Sequence, residues 1–167
     1  MAVLPVVRFP DPRLKLVAKS VESFGEALTK ICADMLETMY AAEGVGLAAT
    51  QVNVQQRIIV LDISEDRSQV LCLINPIIIK AEDEIVWEEG CLSFPGVYAK
   101  VKRSAKVKVE FYDIQGERQE MEADGLTAVC LQHEIDHLNG ITFYDHLSPL
   151  KQQMLRKKLS KQRDSVL

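Results

Sequence analysis

Residues 133–137, His-Glu-Ile-Asp-His, have the composition and spacing of a metal-dependent hydrolase. Two histidines four residues apart stand on the same face of a helix, so both imidazoles can bind one ion. The glutamate beside the first histidine can then accept a proton from water, as in metal-assisted hydrolysis. A lone histidine on an apolar stripe is more often a hydrogen-bonded core residue, but two of them on a buried stripe need a ligand. The motif therefore predicts His133 and His137 as metal ligands and Glu134 as general base.

The residues around this motif predict the helix that it requires. Asp124 is a candidate N-cap, Gly140 is a stop signal, and apolar side chains follow two faces between them. Leu126, Val129 and Cys130 fall on the stripe that carries the histidines. Their position fits a pocket beside the metal, and it fits plain core packing as well.

A third ligand is expected, because catalytic metal sites usually have three protein ligands and one open position. A downstream histidine of the H-E-x-x-H-x-x-G-x-x-H pattern would fall at Phe143, and no glutamate follows Glu134. Asp145 and His146 remain candidates, but the ligand is expected from upstream. Cys91 is the best upstream candidate, since a thiolate binds zinc or iron well. The alternative is that Cys91 is simply a small buried residue.

Three motifs resemble the signatures of the bacterial peptide deformylases of the class I type. They are residues 44–51, 89–93 and 132–138; each occurs once, in the order and at the spacing of that family. The resemblance covers essentially the whole chain. Residues 44–49 also satisfy the dinucleotide fingerprint G-x-G-x-x-[GA], but that fingerprint needs a strand before it and a helix after it. The patterns here predict the reverse, so we expect the glycines to lie beside an extended substrate.

The resemblance implies an activity, which is removal of the N-formyl group from the formylmethionine of newly made polypeptides, with release of formate. Cys91 and the two histidines would hold one divalent metal ion, ferrous iron in the cell, with nickel or cobalt as working substitutes and with zinc possible but much less active. Glu134 would be the general base. The side-chain amide of Gln51 and the backbone N–H of Leu92 would stabilise the oxyanion.

The resemblance also implies a methionine pocket and further substrate contacts. The residues at the matching positions are Val45, Gly46, Trp87, Glu89, Leu126, Val129 and Cys130. Trp87 replaces the aliphatic residue of many members, and Tyr98 replaces an arginine that often contacts the peptide after methionine. Glu89 and Arg103 match family positions that could form an ion pair supporting the metal ligands. The alternative is that both are ordinary surface charges.

The remaining patterns predict an α+β fold, with antiparallel β-sheets around a central metal-binding helix and with an N-terminal and a C-terminal helix. The N-terminal helix is expected at 23–40, with a Ser23…Glu26 capping box. Strands are expected at 57–63, 70–74, 77–79, 85–88, 105–113 and 117–123, the last two as a hairpin. The length of 167 residues with 47% hydrophobic residues predicts one domain, residues 1–167.

Charge is concentrated near the C-terminus. The segment from Ser148 onward contains six basic residues and one aspartate, which gives it a net charge of +5. The whole chain has a net charge of −4. Ser148-Pro149 predicts a helix start. A solvated terminal helix docked by its apolar side chains is one account of this segment, and the resemblance adds ribosome contact as a second. No membrane-spanning run, signal-peptide pattern or disulfide framework is found, so a cytoplasmic protein without membrane or DNA partners is expected.

Two other functions stay open at this point. A zinc endopeptidase is disfavoured because its downstream third ligand is absent. A module with a closed structural zinc would need a fourth ligand, for which Cys130 is the candidate, one turn before His133. That function would leave Glu134, Gln51 and the glycines without a role.

Overall fold

The computed structural model describes residues 2–166, with side chains through residue 162. The helices are α1 (Glu26–Ala41), α2 (Gly125–Leu138) and α3 (Pro149–Val166). The strands are β1 (Gly46–Ala48), β2 (Ile58–Leu61), β3 (Leu71–Glu82), β4 (Ile85–Cys91), β5 (Phe94–Arg103), β6 (Lys106–Tyr112) and β7 (Arg118–Asp124). Short 3-10 turns lie at Pro12–Lys15, Ala49–Val52 and Phe143–His146. None of the described helices is both long and apolar enough to cross a membrane.

The strands form two antiparallel sheets. A five-stranded sheet has the order β1-β2-β3-β6-β7, and β4 and β5 form a separate hairpin. The β6–β7 hairpin that the sequence predicted is present, with Val109 opposite Met121. The predicted α+β class with antiparallel sheets is confirmed.

Strand β2 of the larger sheet is buried on both faces. Its side chains alternate, with Ile59 and Leu61 in the core beneath α2, and Ile58 and Val60 in the core beneath α1. All four are essentially inaccessible to solvent. Because successive strand residues point to opposite faces, this apolar run packs against α2 on one face and against α1 on the other. Helix α2 packs on this sheet and contacts the β4–β5 hairpin through the side chains of Glu89 and Arg103.

Two local expectations differ from the structure. Helix α1 begins at Glu26 with Gly25 as its N-cap residue, so the Ser23 capping box was wrong. The two short strands expected at 70–74 and 77–79 are one strand, β3, because a register shift after Ile74 and a positive φ of 52° at Asn75 absorb the irregularity.

Strand β5 was not predicted. Its sequence mixes lysines with apolar residues, but Val97 and Val101 point inward and are buried against α3 and the 143–146 turn. The backbone of β5 pairs with β4 in an antiparallel ladder. Its formation depends on tertiary contacts that the local pattern does not reveal.

Helix α3 begins at Pro149, as predicted, and the Ser148 hydroxyl accepts a hydrogen bond from the Lys151 N–H at 3.3 Å. Leu155 and Leu159 belong to the same apolar cluster as Val97 and Val101 of β5, whereas Leu150 and Met154 are exposed. The side chains of Arg163 and Asp164, which contribute to the predicted charge of this helix, lie outside the described residues.

Candidate metal centre and substrate cavity

Helix α2 and the end of β4 bring three candidate ligands together. His133 and His137 lie one turn apart, and their Nε2 atoms are separated by 3.3 Å. Cys91, the last residue of β4, has its Sγ atom 3.3 Å from the Nε2 atom of His137. All three ligand atoms lie within 4.8 Å of one another, and both histidines are buried.

This donor set fits a single metal ion. Bonds of about 2.0–2.1 Å to imidazole nitrogen and about 2.3 Å to sulfur leave tetrahedral ligand atoms roughly 3.3–3.6 Å apart. The observed separations of 3.3 Å fall at the short end of that range. One thiolate and two neutral imidazoles suit zinc or ferrous iron. The described residues therefore form a site that can take one divalent cation.

The orientation of His133 is set by a buried ion pair. Its Nδ1 atom lies 2.8 Å from Glu89 Oε1, and Arg103 donates to both oxygens of that carboxylate at 2.7 and 2.9 Å. Burial would raise the pKa of Glu89, but the hydrogen bonds from Arg103 and His133 outweigh it and hold the pKa at about 2. Glu89 is therefore an anionic acceptor, so Nδ1 carries the proton and Nε2 is left to face the ligand cluster.

The same ion pair extends to the surface of the protein. Arg103 also donates to Asp136 Oδ2 at 2.6 Å, and His146 Nε2 lies 2.9 Å from that oxygen. The Arg103 and Glu89 side chains are only 3% and 4% exposed, whereas that of His146 is 37% exposed. The network therefore runs from a ligand, through a buried pair, to solvent.

Glu134 has the surroundings of a general base. It is buried, and its Oε1 atom has no hydrogen-bond partner among the described residues. Burial raises the pKa of this carboxyl to about 7, and a divalent cation nearby would lower it. A Cβ atom on Gly46 would lie 2.6 Å from Glu134 Oε2. The absence of a side chain at Gly46 therefore provides the space that the Glu134 carboxyl group occupies.

The amide of Gln51 is fixed in one orientation. Its Oε1 atom accepts a hydrogen bond from the Ala48 N–H at 2.9 Å, so the NH₂ group must point the other way. Nε2 donates to the Ser93 hydroxyl at 3.1 Å and lies 3.5 Å from Cys91 Sγ. Leu92, between Cys91 and Ser93, is in the turn of the β4–β5 hairpin. Amide donors thus lie close to the candidate metal centre.

A cavity of about 660 Å³ opens beside these residues. Twelve of the thirteen site residues expected from the sequence line it: Val45, Gly46, Gln51, Trp87, Glu89, Cys91, Leu92, Leu126, Val129, Cys130, His133 and Glu134. The remaining one, His137, is fully buried beside them. Tyr98 also lines the cavity, with its ring against Gly90. The structure thus places the predicted ligands and the predicted pocket at one site.

The chain is similar in sequence to known proteins over its full length. Residues 3–153 match the family model described as polypeptide deformylase. The chain belongs to the polypeptide deformylase family. The peptide deformylase of Neisseria meningitidis is 51% identical over all 167 residues of both chains, and that of Pseudoalteromonas translucida is 54% identical over 162 residues, 97% of each chain.

Solved deformylase structures have the same fold. The Legionella pneumophila enzyme has a TM-score of 0.95 and 47% identity, covering 98% of this chain and 96% of its own. The Ehrlichia chaffeensis enzyme in complex with actinonin has a TM-score of 0.92 and 39% identity, covering 97% and 98% of the two chains. Accordingly, the chain is a metal-dependent hydrolase that removes the N-formyl group from nascent peptides.

The two competing functions have no support in the geometry of this deformylase. Among the side chains described, the candidate ligand group contains Cys91 and the two histidines but not Cys130, Asp145 or His146. Burial raises the pKa of Cys130 to about 12, which keeps it a neutral thiol on the cavity wall. The described residues form neither a four-ligand zinc site nor a site with a downstream third ligand.

Sequence reasoning missed the part played by the N-terminal segment of the deformylase chain. The Val7 N–H donates to the Gln51 carbonyl at 2.6 Å, and the Phe9 N–H donates to the Ser93 carbonyl at 2.9 Å. These bonds hold the Gln51 turn beside the β4–β5 hairpin. No residue type in positions 7–9 signals this role, because the contacts are made by backbone atoms.

Proposed function

We propose that this cavity is the active site of the deformylase and that the residues singled out in the sequence carry the reaction. One observation supports this most directly: the buried carboxyl group of Glu134, with an unpartnered oxygen, lies beside one cysteine sulfur and two imidazoles whose ligand atoms are within 4.8 Å of one another. Unpartnered buried carboxylate oxygens are costly unless they have a task. The whole chain would act as one catalytic domain.

Cys91, His133 and His137 would hold one divalent metal ion, with ferrous iron as the ion in the cell. The donor set supports iron and zinc equally, and the family resemblance favours iron, with nickel or cobalt as working substitutes. When bound, the ion supplies a Lewis acid that polarises the formyl group and makes water more acidic. The Glu89–Arg103 pair would position His133 for this task.

Glu134 would move the proton. Its carboxylate accepts a proton from the attacking water, whose oxygen bonds to the formyl carbon, and then delivers that proton to the amide nitrogen as the C–N bond breaks. Formate and a peptide with a free amino group result.

Gln51 and Leu92 would stabilise the charge that develops on the formyl oxygen. The Ala48 N–H donates to Oε1 of Gln51, which turns the NH₂ group to the other side, so this donor is oriented before substrate binds. Preorganised donors cost no reorganisation when the charge forms.

Val45, Leu126, Val129 and Cys130 would form the methionine pocket, with Gly46, Trp87 and Glu89 completing the substrate contacts. The side chains on α2 share a face with the metal ligands, and Val45 is 42% exposed at the cavity wall. The carboxylate of Glu89 is engaged by Arg103 and His133, so its part in substrate binding would be indirect. The enzyme would act on nascent formylmethionyl chains in the cytoplasm, with α3 as a ribosome contact.

The first experiment is formate release from N-formyl-Met-Ala-Ser by protein purified without oxygen, with a chelator-treated control. Rapid, chelator-sensitive release is expected. Glu134→Gln should retain the metal and lose activity by roughly 10² to 10⁴-fold. Actinonin should inhibit, given that the Ehrlichia chaffeensis enzyme was crystallised with it. Absence of release after iron or nickel loading would refute the proposed roles.

A further inference from the structure

Two cysteines outside the cavity lie in direct contact. Cys32 is in the middle of α1, Cys72 is near the start of β3, and their Sγ atoms are 2.9 Å apart. Non-bonded heavy atoms usually rest roughly 3.5–4.0 Å apart, and a disulfide bond is about 2.05 Å long. The two sulfur atoms therefore need to move less than an ångström or so to bond.

The surroundings of this pair are apolar but not sealed. Cys32 is 4% exposed and lies among residues of the α1 core such as Met35. Cys72 is only partly buried, and Val60 is its cross-strand partner in β2. Neither cysteine lines the cavity. Cys72 is therefore the more exposed residue of the pair, and Cys32 is the neighbouring thiol that can complete a reaction.

We propose that Cys32 and Cys72 are a dithiol site that reacts with low-molecular-weight disulfides, such as glutathione disulfide, and closes to an intramolecular disulfide. Cys72 gives up its thiol proton, and its sulfur attacks one sulfur of glutathione disulfide, which forms a mixed disulfide and releases one glutathione thiolate. The thiolate of Cys32 then attacks the Cys72 sulfur and releases the second glutathione. The protein loses two electrons and two protons, and glutathione disulfide is reduced to two glutathione molecules.

The cross-link would enclose the segment that carries part of the active site. Residues 33–71 lie between the two cysteines and include Gly46 and Gln51. A disulfide there ties α1 to β3 and restricts the unfolded chain over this loop. Oxidation would therefore stabilise the fold without touching Cys91. The unfolding midpoint should rise, and formate release by the metal-loaded enzyme should be retained.

The test uses metal-loaded protein equilibrated in glutathione redox buffers of increasing oxidised fraction. The protein is then denatured in guanidinium chloride with a chelator and N-ethylmaleimide, so that every free thiol is alkylated, and digested with trypsin. Cleavage after lysine and arginine places Cys32 in peptide 31–57 and Cys72 in peptide 68–80. We expect these two peptides to appear cross-linked, with a mass two hydrogens below their sum, while the peptides of Cys91 and Cys130 carry maleimide. Dithiothreitol should reverse both the cross-link and the rise in unfolding midpoint.

Three outcomes would overturn the proposal. The first is maleimide on both cysteines at the most oxidising ratio, and the second is glutathione on Cys72 with no cross-link. The third is a cross-link of either cysteine to Cys91 or Cys130. Cys72→Ser serves as the matched control, because it should abolish both the cross-link and the oxidation-dependent midpoint shift. The mass measurement on the unaltered protein stands even if that variant folds poorly.

Discussion

The Nδ1 atom of His133 lies 2.8 Å from Oε1 of Glu89. Two nitrogens of the Arg103 guanidinium donate hydrogen bonds to the same Glu89 carboxylate, at 2.7 and 2.9 Å. The candidate ligand is therefore oriented by a charge pair rather than by packing alone. This arrangement leads to the first prediction, because the pair is almost completely buried.

Replacing Glu89 with alanine should damage both stability and metal binding. The substitution leaves the guanidinium of Arg103 buried with only Asp136 as a charged partner, and breaking a buried pair typically costs about 3–5 kcal/mol. Loss of the hydrogen bond to His133 should weaken metal affinity by roughly 10 to 100-fold. Urea unfolding and competition with a chromogenic chelator measure the two effects. Unchanged metal affinity in a folded variant would contradict the positioning role.

The outer end of the same network should matter far less. His146 lies 2.9 Å from Asp136 Oδ2, but its side chain is 37% exposed, so water can replace its contact. His146→Ala should change the free energy of unfolding by about 0–1 kcal/mol, as for other exposed pairs. Urea unfolding of His146→Ala and Glu89→Ala under the same conditions compares their free energies of unfolding. A loss as large as that of Glu89→Ala would mean that His146 supports the metal site itself.

Adding one methyl group at Gly46 should impair catalysis. The new Cβ would lie 2.6 Å from Glu134 Oε2, so the carboxylate must move. A misplacement of about 1 Å can cost roughly 10²-fold in rate. The expected result for Gly46→Ala is a lower kcat for formate release with the metal content retained.

Gly25→Ala is the matched control for that substitution. A Cβ atom at Gly25 meets nothing within 4 Å, and its φ of 172° is extended backbone that any residue can adopt. Its kcat should equal that of the unaltered enzyme. Equal kcat values for Gly46→Ala and the unaltered enzyme would show that Glu134 tolerates displacement, against its assignment as the base.

Shortening Gln51 should reduce kcat rather than metal binding. Removal of one preorganised donor to an oxyanion typically costs about 10² to 10³-fold in rate. Gln51→Ala also removes the acceptor of the Ala48 N–H bond and the donor to Ser93, so folding must be checked by thermal unfolding. Steady-state formate release and metal analysis distinguish the effects. A raised KM with normal kcat would indicate uniform substrate binding instead.

Removing the metal should abolish activity and lower stability together. Since the ion would bind the folded chain through three converging residues, it should stabilise that state by mass action. Dialysis against a chelator should lower the unfolding midpoint, and readdition of iron or nickel without oxygen should restore both properties. The double variant His133→Ala, His137→Ala should have the low midpoint with or without metal.

Much of this protein could be predicted from short stretches of the sequence, and for a physical reason. Helical dihedrals place residues four apart on one face, so the juxtaposition of His133 and His137 follows from the local chain alone. The same holds for the β6–β7 hairpin, whose alternation and turn residues are contiguous. The family motifs identify Cys91 and Gln51 because the residues of each motif lie within a few positions of one another.

Contacts between distant segments were decided by the tertiary structure. Whether Cys91 reaches the histidines depends on the β4–β5 register, which shifts between Glu89 and Cys91. A register slip of one residue would turn such side chains to the opposite face. The pairing of Glu89 with Arg103 and the contact of Cys32 with Cys72 join residues on separate elements. No local pattern encodes these distances, because they result from how the hairpin, the sheet and the helices pack together around shared cores.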